Sequence, residues 1–501
     1  MKRIATLLAL TALSGCTLEP HFARPQPAVP PAWPAGDAYR TPTEAALPSV
    51  GYRDIFKDPN LQAIIAQALV NNQDLREAVA NVASARAQFH VQRAALFPEV
   101  DAEAALTRRR SSGVSGATTG GATGTTGTTT TTAVSGNRDS TTYQVDAAVS
   151  AWEVDLFGRL RSETHSAFDL YLGQEAAARA ARLLLVSEIA QAYFQLAADR
   201  SLLGVALDTE KSAEVTVKLT QARLDGGIAP RTDLRQAQTV LATARADEAN
   251  QRTLVAQDRN ALELLVGAHV ADGLLPASIE AVDPLIGELP AGLDSGILLR
   301  RPDVVQAEYN LRAANARIGA ARAAFFPRVS LTGLAGLAST SLSSLFTGGA
   351  FTWTVAPSVT LPIFDAGANA GNLRYAKAQR DLYLATYQKA IQTAFREVAD
   401  ALARRGTIDA QFAADQLNFD AAQDTLTLDI ARYKQGIDPY LNTLDAQRTF
   451  YAARQTIANA RLTKALNLVT LYQTLGGDQT LSDLPGTPEA KAALTQSQGA
   501  P

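Results

Sequence analysis

Residues 141–159 read Thr-Thr-Tyr-Gln-Val-Asp-Ala-Ala-Val-Ser-Ala-Trp-Glu-Val-Asp-Leu-Phe-Gly-Arg. Tyr143, Val145, Ala147, Val149 and Ala151 alternate with Gln144, Asp146 and Ser150, a period of two that assigns the two sets to opposite faces of a strand. The pattern returns three times. Val100, Ala102, Ala104 and Leu106 oppose Asp101, Glu103 and Thr107. Val329, Leu331, Ala335 and Leu337 oppose Ser330 and Thr332. Phe351, Trp353, Val355, Val359 and Leu361 oppose Thr352, Thr354, Ser358 and Thr360. Runs of about ten residues, apolar on one face and polar on the other, with aromatics near their ends, fit membrane β-strands. A half-buried soluble sheet has the same alternation and remains the alternative. A bilayer tolerates no open strand edge, and the smallest membrane barrels have about eight strands, so four strands in a membrane need further copies of the chain.

The sequence around these strands is duplicated. Residues 74–100 overlay 303–329, matching Asn81 with Asn310, Arg93 with Arg322, Phe97 with Phe326 and Pro98 with Pro327. Residues 222–267 overlay 431–476, matching Arg223 with Arg432, Gly227 with Gly436, Pro230 with Pro439 and Gln238 with Gln447. Each half reads helix, strand, loop, strand and two long helices. Phe97-Pro98 and Phe326-Pro327 stop the first helix of each half, because proline lacks the amide donor and clashes with the preceding turn. Leu185, Ile189, Ala192 and Leu196, like Ile391, Phe395, Val398 and Leu402, carry the 4-3-4 spacing of coiled coils. Helix over about 162–224, with a local irregularity at Gly204, would extend roughly 95 Å. Gly226-Gly227-Ile228-Ala229-Pro230 and Gly436-Ile437-Asp438-Pro439 turn the chain back. The surplus of the first half is the stretch 111–136, almost wholly Thr, Gly, Ser and Ala, which cannot fill a core and reads as an inserted loop.

The N-terminus bounds the compartment. Lys2 and Arg3 precede a short apolar run from Ile4 to Leu13, about half the ~20 residues of a membrane-spanning helix, so the segment reads as a signal peptide. It ends in Leu13-Ser14-Gly15-Cys16, which resembles a bacterial lipobox, and Cys16 is the single cysteine of 501 residues. Lipid on Cys16 is thus expected, and Thr17, in place of the aspartate that retains lipoproteins in the inner membrane, favours the outer membrane. Eight prolines between residues 17 and 50 predict an extended tether and not a packed domain. The net charge of -3 gives no basic footprint for nucleic acid.

These boundaries divide the chain into a signal peptide (1–15), a lipidated tether (16–50), the helices leading into the first half (51–98) and a first β-hairpin (99–157) with its Thr/Gly-rich loop (111–136). A first long helical hairpin (158–267), a connector (268–301), the first helix of the second half (302–327), a second β-hairpin (328–364), a second long helical hairpin (365–477) and a flexible tail (478–501) follow.

Four segments resemble the outer-membrane factor lipoproteins of tripartite efflux pumps, the NodT-type branch of the TolC-like superfamily. They are Asp54-Ile55-Phe56-Lys57-Asp58-Pro59-Asn60-Leu61 with Asn71-Asn72-Gln73-Asp74-Leu75, Trp152-Glu153-Val154-Asp155-Leu156-Phe157-Gly158-Arg159, Leu299-Arg300-Arg301-Pro302-Asp303-Val304, and Arg432-Tyr433 with Leu444-Asp445-Ala446-Gln447-Arg448. The resemblance implies a homotrimer with a twelve-stranded membrane β-barrel and a twelve-helix periplasmic tube. It also implies three partners: a periplasmic adaptor (membrane fusion) protein, an inner-membrane transporter of the resistance-nodulation-division type, and outer-membrane lipid. The inserted loop is a departure from the family pattern and would lie outside the cell.

Catalytic chemistry is not legible. The four histidines (21, 90, 165 and 269) are scattered, the glycines at 120–127 lack the lysine of a phosphate loop, and Asp101, Glu103 and Asp146 read as lumen-wall charges. No cofactor is expected beyond the lipid on Cys16. The two hairpin turns, however, are homologous without being equivalent: Leu441, Asp445 and Arg448 stand where the first half has Thr232, Gln236 and Thr239. By the resemblance, Leu441, Asp445, Arg448, Lys434 and Tyr433 form a periplasmic gate, with Asp445 held by Lys434 or Arg448. Arg223, Gly226, Gly227, Pro230, Arg432, Gly436 and Pro439 form the tips that meet the adaptor. The expected function is passive export of small molecules, with a type I protein secretion duct as the alternative. A surface adhesin would leave the turn asymmetry unexplained, and a lipid-anchored hydrolase lacks a catalytic constellation.

Overall fold

The computed structural model describes residues 17–39, 51–113, 136–282 and 295–476. The signal peptide, Cys16, residues 40–50, most of the Thr/Gly-rich loop and the tail from 477 lie outside the described residues. The chain divides into two compact units. One comprises Met1–Phe22, Ala87–Phe168 and Ala313–Arg380, the other Ala23–Arg86, Asp169–Arg312 and Asp381–Pro501.

The duplication is visible in element lengths. Two short helices, α1 (Tyr52–Ile55) and α2 (Pro59–Asn71), precede α3 (Gln73–Ala94), which has 22 residues, as does its counterpart α7 (Pro302–Ala323). The long helices α4 (Arg159–Asp225) and α8 (Ala368–Lys434) have 67 residues each. Their antiparallel partners α5 (Arg231–Val266) and α9 (Tyr440–Thr474) have 36 and 35. The connector holds a one-turn helix, α6 (Ile279–Val282), flanked by 3-10 turns at Asp272–Leu274 and Ser295–Arg300. Helix α4 passes through Gly204 without interruption, contrary to the expected irregularity. Val205 and Ala206 beside it are buried, and that packing outweighs the glycine's cost of ~1 kcal/mol.

In the first unit the strands β1 (Asp101–Gly113), β2 (Gly136–Val154), β3 (Arg328–Ser339) and β4 (Phe351–Thr360) form one antiparallel sheet in the order β1-β2-β3-β4. The register brings the apolar stripes of all four strands onto one face: Ala102 pairs with Ala147, Ala147 with Ala335, and Ala335 with Trp353. The opposite face carries Glu103 directly across from Asp146, and Asp146 across from Gly336. One expectation fails. Ser150 and Ala151 together oppose Thr332 between the pairs Val149–Gly333 and Trp152–Leu331, a two-against-one bulge with Ala151 at φ 49. The extra residue shifts the phase, so Trp152, and not Ala151, continues the apolar stripe. Its indole Nε1 donates to the Leu96 carbonyl at 3.3 Å.

The tether expectation also needs correction. Residues 17–39 form no helix or strand, as proline dictates, but they are bound to their own chain. In the first unit Glu19 reaches His165 at 3.0 Å, and the Leu18 and Pro20 carbonyls accept from Arg322 and Asn315. In the second, Arg24 pairs with the buried Glu308 at 2.8 Å, and Trp33 stacks on Phe395 with centroids 5.0 Å apart. Composition predicted the extended backbone and was silent on its docking.

The main core belongs to the second unit. Phe56, Leu61, Ile64, Ile189, Tyr193 and Tyr472 are all less than 2 % exposed within it. Two motif residues tie its ends. Asp58 caps α2 by accepting from the Asn60 amide and also accepts the Tyr193 hydroxyl at 2.7 Å. Arg301, only 10% exposed at its side chain, donates to the last-turn carbonyl of Thr474 and pairs with Asp303 and Glu397. Burial alone would lower its pKa, but the hydrogen bonds and charges of those carboxylates hold it above the ordinary arginine value.

Candidate functional site: the two hairpin turns

Both turns lie in the second unit and close by the same hydrogen-bond pattern. The Ile228 amide bonds to the Arg223 carbonyl at 3.0 Å and Gly227 to Leu224 at 2.9 Å. In the second half Ile437 bonds to Arg432 and Gly436 to Tyr433, both at 3.0 Å. This is the Schellman arrangement, which needs a left-handed residue just past the helix. Gly227 and Gly436 supply it at φ 72 and 73. Gly226 has its own amide on the Ala222 carbonyl. Pro230 and Pro439, both extended, then start α5 and α9. Ile228 and Ile437 stand 70% and 63% exposed at the two apices. Sequence reading passed over both isoleucines, although their place between Gly and Pro marks them as apex residues.

Identical frames carry different side chains. Arg432 makes a two-pronged ion pair with Asp438 of its own turn, a geometry that raises the arginine's pKa and lowers the carboxyl's. The equivalent of Asp438 in the first turn is Ala229, so Arg223 has no local carboxylate. It crosses instead to the second hairpin. Its guanidinium lies 4.5 Å from the Tyr433 ring centre, and Nη1 donates to the Tyr433 carbonyl at 3.1 Å. Tyr433 packs at 5.5 Å on Tyr440 in a small buried cluster with Leu444 and Ala237. Both tyrosine hydroxyls are buried without a hydrogen-bond partner among the described residues, and burial pushes both pKa values up, that of Tyr440 to about 12.

The gate residues predicted from sequence separate into three directions. Leu441, 60% exposed, and Asp445 lie one turn apart on α9 and share an open depression with Asp429, Thr425 and Asn442. Arg448, one turn further on, lines a different cavity of about 160 Å³ with Thr239, Thr243, Tyr451 and Arg454. In its wall Arg454 pairs with Asp208 at 2.9 Å and Tyr451 donates to Asp247 at 2.8 Å. Lys434 borders a third hollow with Lys211, Tyr433 and Thr443. Among the described residues of one chain, Asp445 makes no ion pair with Lys434 or Arg448, and the three line different hollows. The nearest charge sharing its depression is the carboxylate of Asp429. Arg448 is exposed and lines the rim of its cavity, so the expected clamp of Asp445 by Arg448 or Lys434 between neighbouring helices is not made within one chain. Of the residues at the equivalent positions in the first half, Gln236 is half-buried, and Thr232 and Thr239 are exposed.

Elsewhere, among the described residues, no group of three His, Cys, Asp or Glu side chains could hold a metal ion. No helix among them is long and apolar enough to cross a membrane. His165 and His269 each face one carboxylate, Glu19 and Glu263.

Comparison with known proteins places this architecture. The family profile for outer membrane efflux proteins matches residues 64–268 and 294–477. The chain is 42% identical over 482 residues to the toluene efflux pump outer membrane protein TtgC of Pseudomonas putida, with 94% of each covered. It is 38% identical over 475 residues to the outer membrane protein OprJ of Pseudomonas aeruginosa, with 94% and 95% covered. Among solved structures, the open state of the Neisseria gonorrhoeae MtrE outer membrane channel matches with a TM-score of 0.81 at 34% identity, covering 93% of this chain and 99% of that one. With the family profile spanning both halves and identities near 40% over almost the whole length, the chain belongs to the outer membrane efflux protein family.

Proposed function

We propose that this protein is the outer-membrane exit duct of a tripartite efflux system, conducting small molecules passively from a periplasmic adaptor and an inner-membrane pump to the exterior. The observation that carries the reading is the sheet. Its order is β1-β2-β3-β4, so β1 and β4 are each paired on one side only within a chain, while its stripes form one continuous apolar face. Such a sheet is stable in lipid only when its edges are closed by other strands. Three copies bring twelve strands, and the four long helices of each bring twelve for the periplasmic tube. The lipid on Cys16 adds an anchor that the barrel's apolar belt does not depend on.

The turns supply the contact with the adaptor and the gate. Ile228 and Ile437 give each hairpin one exposed apolar apex, framed by Arg223, Gly226, Gly227 and Pro230 in one and by Arg432, Gly436 and Pro439 in the other. Leu441 and Asp445, on one exposed face of α9, form rings of three that narrow the pore, and Tyr433 with Arg223 holds the second hairpin to the first. A cation for Asp445 then comes from another copy. Energy comes from the inner-membrane pump, for which the resistance-nodulation-division type is the class proposed.

The test is electrical. Purified full-length protein should run as a trimer in mild detergent and produce discrete single-channel conductance steps in planar bilayers. Monomers that insert without conductance would refute the duct.

A further inference from the structure

The rows of the sheet's apolar face can be counted. All four strands join helices at the ends near Val154, Val329 and Val359, which form the lowest row, and the hairpin connections lie at the other end. Rising from that row, the face passes Leu331 and Val355, then Ala147 with Trp353, then Val145 with Phe351, and reaches Leu106 beside Tyr143 and Ser339. From Val329 to Ser339 is ten steps of about 3.4 Å, which at a strand tilt near 40° spans roughly 26 Å of height. That matches the apolar belt of about 25 Å on outer-membrane barrels. The aromatics Tyr143, Phe351 and Trp353 lie in its top three rows, as an interfacial girdle requires.

The next two rows on the same face change character abruptly. Arg108 pairs with Thr141, and Arg110 with Asp139. Their side chains are 71% and 70% exposed. A single carboxylate serves both guanidiniums: Asp139 lies 3.2 Å from Arg108 and 3.7 Å from Arg110. Among the described residues one positive charge is thus left over on this face, starting two residues above the last apolar row. Arg109, between them, points to the opposite face. A solvent-facing loop would have no reason to place its cations on the face that continues the apolar belt.

We infer that Arg108 and Arg110 form a binding site for the phosphate groups of a phosphorylated glycolipid in the outer leaflet, with Asp139 setting their spacing. The inference rests on the membrane reading of the sheet given above. Arginine is the side chain suited to this task, because its planar fork donates two parallel hydrogen bonds to a phosphate while its stem lies along apolar surface. Lipid phosphates sit at the headgroup level, which is the height at which the two arginines emerge. Asp139 competes for the same donors, so its charge weakens the site while keeping the two guanidiniums side by side.

The test uses full-length trimers in detergent, given lipid A, a bis-phosphorylated glycolipid, or its dephosphorylated form, with retention read by native mass spectrometry and conductance measured in parallel. Wild type should retain lipid A and not the dephosphorylated lipid. Arg108→Gln with Arg110→Gln should reduce retention on the order of tenfold or more. Arg109→Gln should leave it unchanged, Asp139→Asn should raise it, and all should conduct as wild type does. Conducting wild-type channels that hold both lipids equally, or a double variant that retains lipid A undiminished, would overturn the lipid site alone. A wild-type chain that neither inserts nor conducts would overturn the membrane reading and this site with it.

Discussion

Arg223 of the first hairpin lies over the ring of Tyr433 in the second, 4.5 Å from its centre, and hydrogen-bonds the Tyr433 carbonyl. The contact forms where the first turn has Ala229 in place of the carboxylate that the second turn carries at Asp438. Arg432 keeps Asp438, whereas Arg223 faces Ala229 and spends its charge on the neighbouring hairpin. A pair of identical backbones is thereby tied together asymmetrically.

Replacing Arg223 with alanine removes a cation–π contact and a charge-assisted hydrogen bond, together worth about 1–3 kcal/mol at a half-buried site. The second hairpin should move more freely, and single-channel conductance in planar bilayers should rise with little change in trimer stability. Ala229→Asp is the complementary change. It offers Arg223 the local partner that Arg432 has, and should mimic the loss. Unchanged conductance in both variants would show that this contact does not restrain the hairpin.

The turns were legible because Gly and Pro punctuate them in both halves, and because a left-handed position after a helix leaves few residue choices. The strands were legible by period, except where the bulge at Ser150 and Ala151 broke the phase. A two-against-one pairing depends on the partner strand, which a single run of sequence does not display. The docking of residues 17–39 was hidden for a related reason: proline content predicts backbone shape, while the seats for Glu19, Arg24 and Trp33 come from residues more than a hundred positions away. At the gate, the resemblance implied a clamp of Asp445 by Lys434 or Arg448, and sequence does not display which hollows those side chains line: within one chain Lys434, Arg448 and Asp445 border three different ones.

Asp258 on α5 lies beside Asp199 on α4, and burial, followed by the interaction with that neighbouring carboxyl, pushes its carboxyl up to about 7. Asp199 is itself buried and accepts from Gln195 at 2.9 Å. The folded protein thus holds a proton that the unfolded chain, with an ordinary aspartate value near 3.8, would release. The stabilising contribution is fully present below about pH 3.8 and is lost as pH rises through about 7. Thermal unfolding between pH 5 and 8 should show the midpoint falling with pH in the wild type and falling less in Asp258→Asn. Parallel slopes in the two proteins would mean that the pair does not share a proton.

Cys16 should carry the lipid. Cys16→Ser leaves no acceptor, so metabolic labelling with palmitate should vanish, while the protein should still reach the outer membrane in reduced amount, because the proposed barrel would bring its own apolar belt. Undiminished labelling of the variant would refute the lipoprotein assignment.

The most discriminating prediction concerns Asp445. In one chain it shares its depression with Asp429 and makes no ion pair among the described residues, so any clamp it forms must cross to another copy. If that clamp holds the pore narrow, Asp445→Ala removes three anionic partners at once. A closed state favoured by only a few kcal/mol then opens measurably. Conductance should rise, and cells should admit large antibiotics such as vancomycin more readily, with the trimer intact. Gln236→Ala, the same position in the first half, should change neither. The presence of Asp429 makes the opposite outcome informative as well. If repulsion between the two carboxylates keeps α8 and α9 apart, neutralising Asp445 would tighten the pore and conductance would fall. That result would overturn the clamp while keeping Asp445 at the constriction, whereas equal effects at Asp445 and Gln236, or none at Asp445, would remove Asp445 from the gate and leave the duct standing.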